Sequence, residues 1–368
     1  SHWLGGMGIV VFFVAVLPAL GAGAYQLFRA EAPGPTADRI TPRIGETAKR
    51  LWGIYVLLTL AETLLLWAGP MSLYDALCHT FGTMATGGFS TRNASIAHYD
   101  SAYVDWVIIL FMFLAGCNFA LHYQWLTGNF KGVWRNSEFR LFVGVLAVAI
   151  VLVSSATYFG GVQHDRTDFT KEHLEAEAAK VKPLGSAIRH SAFQVLSMTT
   201  TTGFCTANFD VWPNVCRVAL VVLMFAGGCA GSTGGGMKHV RVMLVLKYAW
   251  RELTRLVRPR SVVHVKVGGK VVPEQIVASV VGFFAIYMAL FAVGSIIMTA
   301  LGLDLATGVT SVVATLSNIG PGLGGVGAVQ NYADIPYAGK WVLILLMLLG
   351  RLEVFSVLVL FVPLTWKR

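Results

Sequence analysis

Charged side chains are scarce in this chain. Asp, Glu, Lys and Arg make up 13% of its 368 residues, where a soluble domain carries about a quarter. That shortage excludes an ordinary water-soluble fold. Cysteine is thin as well. Cys78, Cys117, Cys205, Cys216 and Cys229 lie scattered through apolar or glycine-rich sequence. Their spacing fits neither a disulfide framework nor a metal site, so they read as small buried hydrophobes. Catalytic signatures are missing too: there is no His-Glu-x-x-His, no Gly-x-Ser-x-Gly and no pair of acids inside an apolar stretch. A membrane-embedded enzyme is therefore the most distant reading, and an organic cofactor is not expected.

Apolar sequence fills the space. Hydrophobic residues make up 55% of the chain, and the mean hydropathy is +0.66. The net charge of +9 does not point to nucleic acid, because the basic residues gather between apolar stretches in the positive-inside pattern. A helix needs about 20 apolar residues to cross a bilayer. On that measure the sequence predicts spans near 5–28, 48–69, 103–126, 138–160, 214–246, 274–301 and 339–365. The first of these is too long for the core of a cleavable signal. Shorter apolar stretches near 72–83, 187–198 and 305–316 cannot cross and read as re-entrant half-helices. Arg29, Arg39, Arg43, Lys49 and Arg50, then Lys131, Arg135 and Arg140, then the basic run from Lys238 to Lys270, mark cytoplasmic loops. Residues 161–185, of mixed charge, fall outside, with a short exposed helix over Glu172 to Lys182. His264 to Val272 reads as a hairpin with a Gly-Gly turn.

Each half-helix leads into a polar, glycine-bearing motif: Thr86-Gly87-Gly88-Phe89, Thr201-Thr202-Gly203-Phe204 and Asn318-Ile319-Gly320-Pro321. Aligning Gly88 with Gly203 also aligns Thr86 with Thr201, Thr91 with Thr206 and Asn93 with Asn208. Met112 to Cys117 then meets Met224 to Cys229. The unit of span, half-helix, glycine motif and span thus recurs. Trp3 to Gly8 resembles the Gly227-Gly228 region, so a first span and motif are expected before Ser1. The predicted fold is an all-α polytopic membrane protein. Pseudo-fourfold repeats surround a central ion pore, the first of them incomplete. Its divisions are 1–29 (second span of repeat 1), 48–127 (repeat 2), 138–246 (repeat 3, second span broken), 247–273 (basic cytoplasmic helix and hairpin) and 274–366 (repeat 4).

The chemistry follows from the backbone. Irregular backbone at membrane depth persists only where protein buries it or it lines a wet cavity. Rings of carbonyl oxygens can replace the hydration shell of a monovalent cation, and glycine tolerates the angles that aim them. The negative end of each half-helix favours a cation. The candidate K+ filter is therefore Thr86, Gly87 and Gly88, then Thr201, Thr202 and Gly203, then Asn318, Ile319 and Gly320. One such turn alone would be an ordinary small-residue contact; its recurrence after a half-helix argues for a filter. Asp75, Asp100, Asp210 and Asp334 read mostly as capping or solvated residues near the outer mouth. His79 and His190 read as structural.

These motifs resemble the Trk, Ktr and HKT superfamily of potassium transporters, and within it the membrane subunit of the bacterial Trk potassium uptake system. The resemblance covers essentially the whole chain. It implies K+ as the transported ion, a bacterial inner-membrane location, a homodimer surrounded by membrane lipid, and a cytosolic nucleotide-binding regulatory subunit of TrkA type. A sodium-permeable or sodium-coupled relative is the second reading, because Pro321 replaces the aromatic residue of the other motifs.

Six glycines lie among Gly227, Gly228, Gly231, Ser232, Thr233, Gly234, Gly235 and Gly236. Each costs a helix about 1 kcal/mol relative to alanine, so the span is predicted to break there. It is no phosphate loop, since Met237-Lys238-His239 follows. The resemblance implies a loop beneath the filter that opens and closes the pore. Arg351, inside the last span, should face a cavity or a partner. The resemblance implies a cation barrier; an ion pair with Glu62 is the structural alternative.

Overall fold

The computed structural model describes residues 1–8, 44–163, 169–352 and 354–358. The expected first span lies mostly outside these residues, as do Arg29, Arg39, Arg43, Asp165, Arg166, Asp168 and Glu353, and the end of the last span. Leu4–Gly8 forms a π-helical turn.

Among the described residues, three helices are long and apolar enough to cross a membrane unbroken: α1 (Ile44–Trp67), α6 (Ser137–Gly160) and α11 (Glu274–Ala300). The three predicted half-helices are α2 (Leu73–Met84), α8 (Leu184–Thr199) and α12 (Leu305–Leu316). Twelve residues in α2 and α12 span roughly 18 Å, well short of a bilayer core. Side-chain caps start two of them: Ser72 accepts the Asp75 N–H, and Asp304 accepts the Thr307 N–H. Such caps satisfy donors that a helix leaves open at its start.

The predicted continuous span at 103–126 is not continuous. It is α3 (Ala102–Gly116) followed by α4 (Phe119–Leu126), bent by 104°. Cys117 is extended, and the Asn118 side chain caps the new helix at Ala120. The orphaned carbonyls find remote partners: Gly116 accepts the Cys229 N–H at 2.9 Å, and Ala115 accepts the Thr233 hydroxyl at 3.2 Å. The His122 ring bonds the Leu114 carbonyl at 2.8 Å. A break at membrane depth survives when its backbone groups are satisfied again in this way.

After α5 (Phe130–Arg135), α6 and α7 (Lys171–Val181), the third unit continues through α8 into α9 (Asn214–Ala226). The expected break follows, and α10 (His239–Val257) resumes beyond it. The strands β1 (Lys266–Val267) and β2 (Lys270–Val271) form the expected hairpin. The last described elements are α13 (Tyr337–Arg351) and α14 (Val354–Leu358), so within the described residues the predicted span 339–365 is interrupted at Leu352. The helix α7 is not simply exposed: Leu174, Glu177 and Val181 are buried.

Each half-helix is packed by two flanking helices. The helix α2 lies against α1 and α3, α8 against α6 and α9, and α12 against α11 and α13. The units also meet one another, through α3 on α8 and α9 on α12. One large apolar cluster runs mainly through the second and third units and another mainly through the fourth.

Candidate ion pathway

The three glycine motifs share one backbone geometry. Thr86, Thr201 and Asn318 have φ of 52°, 61° and 58°, and Gly88, Gly203 and Gly320 have φ of 62°, 86° and 110°. The residue between each pair, Gly87, Thr202 or Ile319, is not left-handed. Left-handed backbone is uncommon for a β-branched residue such as Thr86 or Thr201 and accumulates at functional sites.

The hydrogen bonds repeat as well. Thr86, Gly87 and Gly88 donate their N–H groups to the carbonyls of Thr83, Gly82 and Gly82 at 2.9, 2.7 and 3.3 Å. Thr201, Thr202 and Gly203 donate to Met198, Ser197 and Ser197 at 3.3, 2.9 and 3.3 Å. Asn318, Ile319 and Gly320 donate to Thr315, Ala314 and Ala314 at 3.0, 2.8 and 3.5 Å. These are Schellman-type closures of a helix end. Every motif N–H is thus spent on its own half-helix.

The motifs sit edge to edge. A Cβ on Gly88 would stand 2.0 Å from the Thr202 carbonyl oxygen, and one on Gly203 would stand 2.0 Å from that of Ile319. Only glycine permits this approach. Gly87 lies against the His2 ring, and a Cβ on Gly320 would meet nothing within 4 Å. The Gly320 carbonyl accepts the Tyr332 hydroxyl at 2.6 Å, and the Asn318 amide donates to the Met347 carbonyl at 3.2 Å. The third motif is thus tied differently from the other two.

The glycine-rich segment touches all three motifs. The Thr86 hydroxyl donates to the Thr233 carbonyl at 2.9 Å. The Thr201 hydroxyl oxygen accepts the Gly235 N–H at 2.6 Å. A Cβ on Gly235 would stand 2.5 Å from the Ser317 carbonyl oxygen, and one on Gly234 would stand 3.1 Å from that of Thr200. The segment also folds on itself: Gly227 packs on Gly235 and Gly236, and Gly228 on Ser232. Gly231 packs on Asn118, and its carbonyl accepts the Phe119 N–H at 3.0 Å.

Arg351 ends α13 rather than lying in mid-helix. Its guanidinium donates to the carbonyls of Thr233 and Gly5 at 3.4 and 3.2 Å. The predicted filter and gate residues therefore form one contiguous assembly, with Arg351 at the point where the glycine segment meets Thr86.

Other residues escaped the sequence reading. Glu138, in the first turn of α6, accepts the N–H groups of Ala230 and Val240 through one oxygen at 2.7 and 3.1 Å. Buried Glu177 on α7 accepts the Asn208 N–H at 3.0 Å, and the Tyr287 hydroxyl lies 2.7 Å from that of Ser317. Only remote pairing reveals these roles; their local sequence reads as ordinary helix. Asp75 pairs with Arg92 at 2.9 Å and Asp210 with Arg217 at 3.1 Å. His79 bonds the Asp75 carbonyl and the Ser90 hydroxyl at 2.7 and 2.8 Å. His190 bonds the Thr206 hydroxyl at 3.0 Å.

Residues 1–367 match the TrkH family, described as a cation transport protein. The chain is 45% identical over 369 residues to the Trk system potassium uptake protein TrkH of Escherichia coli strain K12, covering all of this chain and 72% of that protein. The Salmonella typhimurium TrkH is 44% identical over the same length and coverage. The crystal structure of the potassium transporter TrkH from Vibrio parahaemolyticus superposes with a TM-score of 0.81 at 38% identity, over all of this chain and 71% of that one. On these matches, the chain belongs to the TrkH family of cation transport proteins.

Proposed function

We propose that this chain is a potassium-translocating membrane subunit in which dehydrated K+ passes a ring of backbone carbonyls at 86–88, 201–203 and 318–320. The protein is a multi-pass protein of the bacterial inner membrane and belongs to a transport family, not an enzyme family. Its relatives are named as potassium uptake proteins. The observation that carries the reading is the threefold recurrence of one backbone: left-handed, intermediate, left-handed glycine, with every N–H turned back to the half-helix. That arrangement leaves oxygens, and no full charge, to receive a cation.

The glycine segment at 227–236 is the gate in this reading. It is bonded to Thr86 and Thr201, so it occupies the path of an ion leaving those motifs. Arg351, bonded to the same segment, places a positive charge there and opposes cation passage. The subunit works as a homodimer in membrane lipid and is controlled by a cytosolic nucleotide-binding subunit of TrkA type. The basic helix α10, which continues directly from the gate, carries the movement between them.

A sodium-permeable pathway is the second reading. It is favoured by the third motif, where Pro321 follows Gly320 and Tyr332 holds its carbonyl. Proteoliposomes with the purified protein separate the readings. K+ flux well above Na+ flux is expected, with Arg351→Ala raising K+ flux several-fold. Equal K+ and Na+ flux would favour the second reading. No flux above protein-free vesicles would overturn both, and unchanged flux in the Arg351 variant would remove the barrier role.

A further inference from the structure

The glycine segment has two shoulders, and one buried carboxylate holds both. Glu138 belongs to α6, a long span of the same unit, and is 8% exposed. Its Oε1 accepts the N–H of Ala230 on the first shoulder at 2.7 Å and of Val240 on the second at 3.1 Å. Between those two residues lie Gly231 to His239, which include the part of the segment that reaches the Thr86 and Thr201 motifs.

The second of these bonds falls where the chain lacks a local solution. Val240 is in the first turn of α10, whose N-terminal neighbour Lys238 has φ 68° and makes no side-chain cap. The first turn of a helix leaves N–H groups without intrahelical partners. Capping side chains usually come from the preceding residues. Here the cap arrives from a different helix, 102 residues earlier in the chain. A carboxylate accepting N–H groups at a helix N-terminus also gains from the helix dipole. Hydrogen bonds to a charged group are about twice as strong as neutral ones. Glu138 itself is fixed by its helix: the Asn136 side chain caps α6 at Phe139 with a 3.0 Å bond. The path from the rigid span to the segment is therefore short, with no flexible linker in it.

We propose that Glu138 is a positioning residue of the gate. It clamps the two shoulders of the glycine segment together and holds the segment against the carbonyl motifs. The proposal rests on the reading of that segment as the gate. Release of the clamp frees the segment and the start of α10 at once, because one oxygen serves both.

The test uses the purified protein in proteoliposomes, with K+ flux measured across a range of K+ concentrations. Glu138→Ala is expected to raise the maximal K+ flux several-fold at an unchanged half-saturating K+ concentration, since the motifs themselves are untouched. Glu138→Gln keeps an acceptor oxygen at the same place but loses the charge, and is expected to fall between wild type and Glu138→Ala. Wild-type or lowered flux in Glu138→Ala would overturn the proposal, and so would equal behaviour of the alanine and glutamine variants. If Glu138→Ala fails to reach the membrane, Val240→Pro tests the same bond, because proline removes that N–H in a first turn that tolerates it. Raised flux supports the clamp, and wild-type flux overturns it. A protein lacking residues 232–235 separates this from the gate reading. If that deletion raises flux while the Glu138 variants do not, the clamp fails and the gate stands. If the deletion changes nothing, the gate reading fails and the clamp falls with it.

Discussion

Thr86 and Thr201 keep a left-handed backbone that branched side chains avoid, and their hydroxyls hold them there. The Thr86 hydroxyl lies within hydrogen-bond reach of the carbonyls of Ala85 and Thr233, with one proton to share between them, and the Thr201 oxygen accepts the Gly235 N–H. The glycines two residues on have no such help and need none. Gly203→Ala would place a Cβ 2.0 Å from the Ile319 oxygen. Left-handed backbone alone costs an alanine about 1–2 kcal/mol, and the contact adds to it. Most K+ uptake is expected to disappear, with a lowered Tm; wild-type uptake at normal expression would remove Gly203 from the proposed filter. The motifs were legible in the sequence because a glycine two residues after a threonine or asparagine recurs at a fixed place behind each half-helix. The contacts of Glu138 and Tyr332 were not, because hydrogen bonds between distant residues leave no local spacing.

Two half-helices are tied to their outer loops at matching places by different chemistry. The alignment of Gly88 with Gly203 also sets Asp75 against His190 and Thr91 against Thr206. Asp75 accepts the Thr91 hydroxyl, and the His190 ring shares a hydrogen bond with the Thr206 hydroxyl. The Thr91 hydroxyl, with Arg92 behind it, holds the Asp75 carboxyl down at about 2. A depressed carboxyl contributes stability above its unfolded value near 4 and loses it as pH falls through its folded value. The Tm of the protein should therefore fall between about pH 4 and pH 2, and that fall should shrink in Asp75→Asn. Identical pH curves would discard this tie. The break between α3 and α4 shows the limit of reading elements locally. Fifteen apolar-rich residues in α3 and eight in α4 add up to a span by composition. The bend holds because Cys229 and Thr233 from another unit, with the His122 ring, satisfy the freed carbonyls.

At the scale of the whole molecule, the units are locked to one another outside as well as inside. Buried Asp210 pairs with Arg217 in its own unit and accepts the Gly324 N–H of the next at 3.2 Å. Removing one partner of a buried pair typically costs about 3–5 kcal/mol. Asp210→Ala is therefore expected to lower the Tm strongly and to narrow the difference between K+ and Na+ flux. A Tm within error of wild type would show that this lock is not needed.

The sequence by itself determined the class of the protein, because too few charges and too many apolar residues leave a bilayer as the solvent. It determined the half-helices, because 12 residues in α2 and α12 cannot cross one. It also determined that α9 must stop near Gly227, because clustered glycines do not sustain a helix. Tertiary structure alone decided where the freed backbone goes. It set the glycine segment against Thr86 and Thr201, turned Arg351 onto Thr233, and brought Glu138 to both shoulders. The reason is physical: away from water, an unpaired N–H or carbonyl must find a partner inside the protein, and that partner can come from anywhere in the chain.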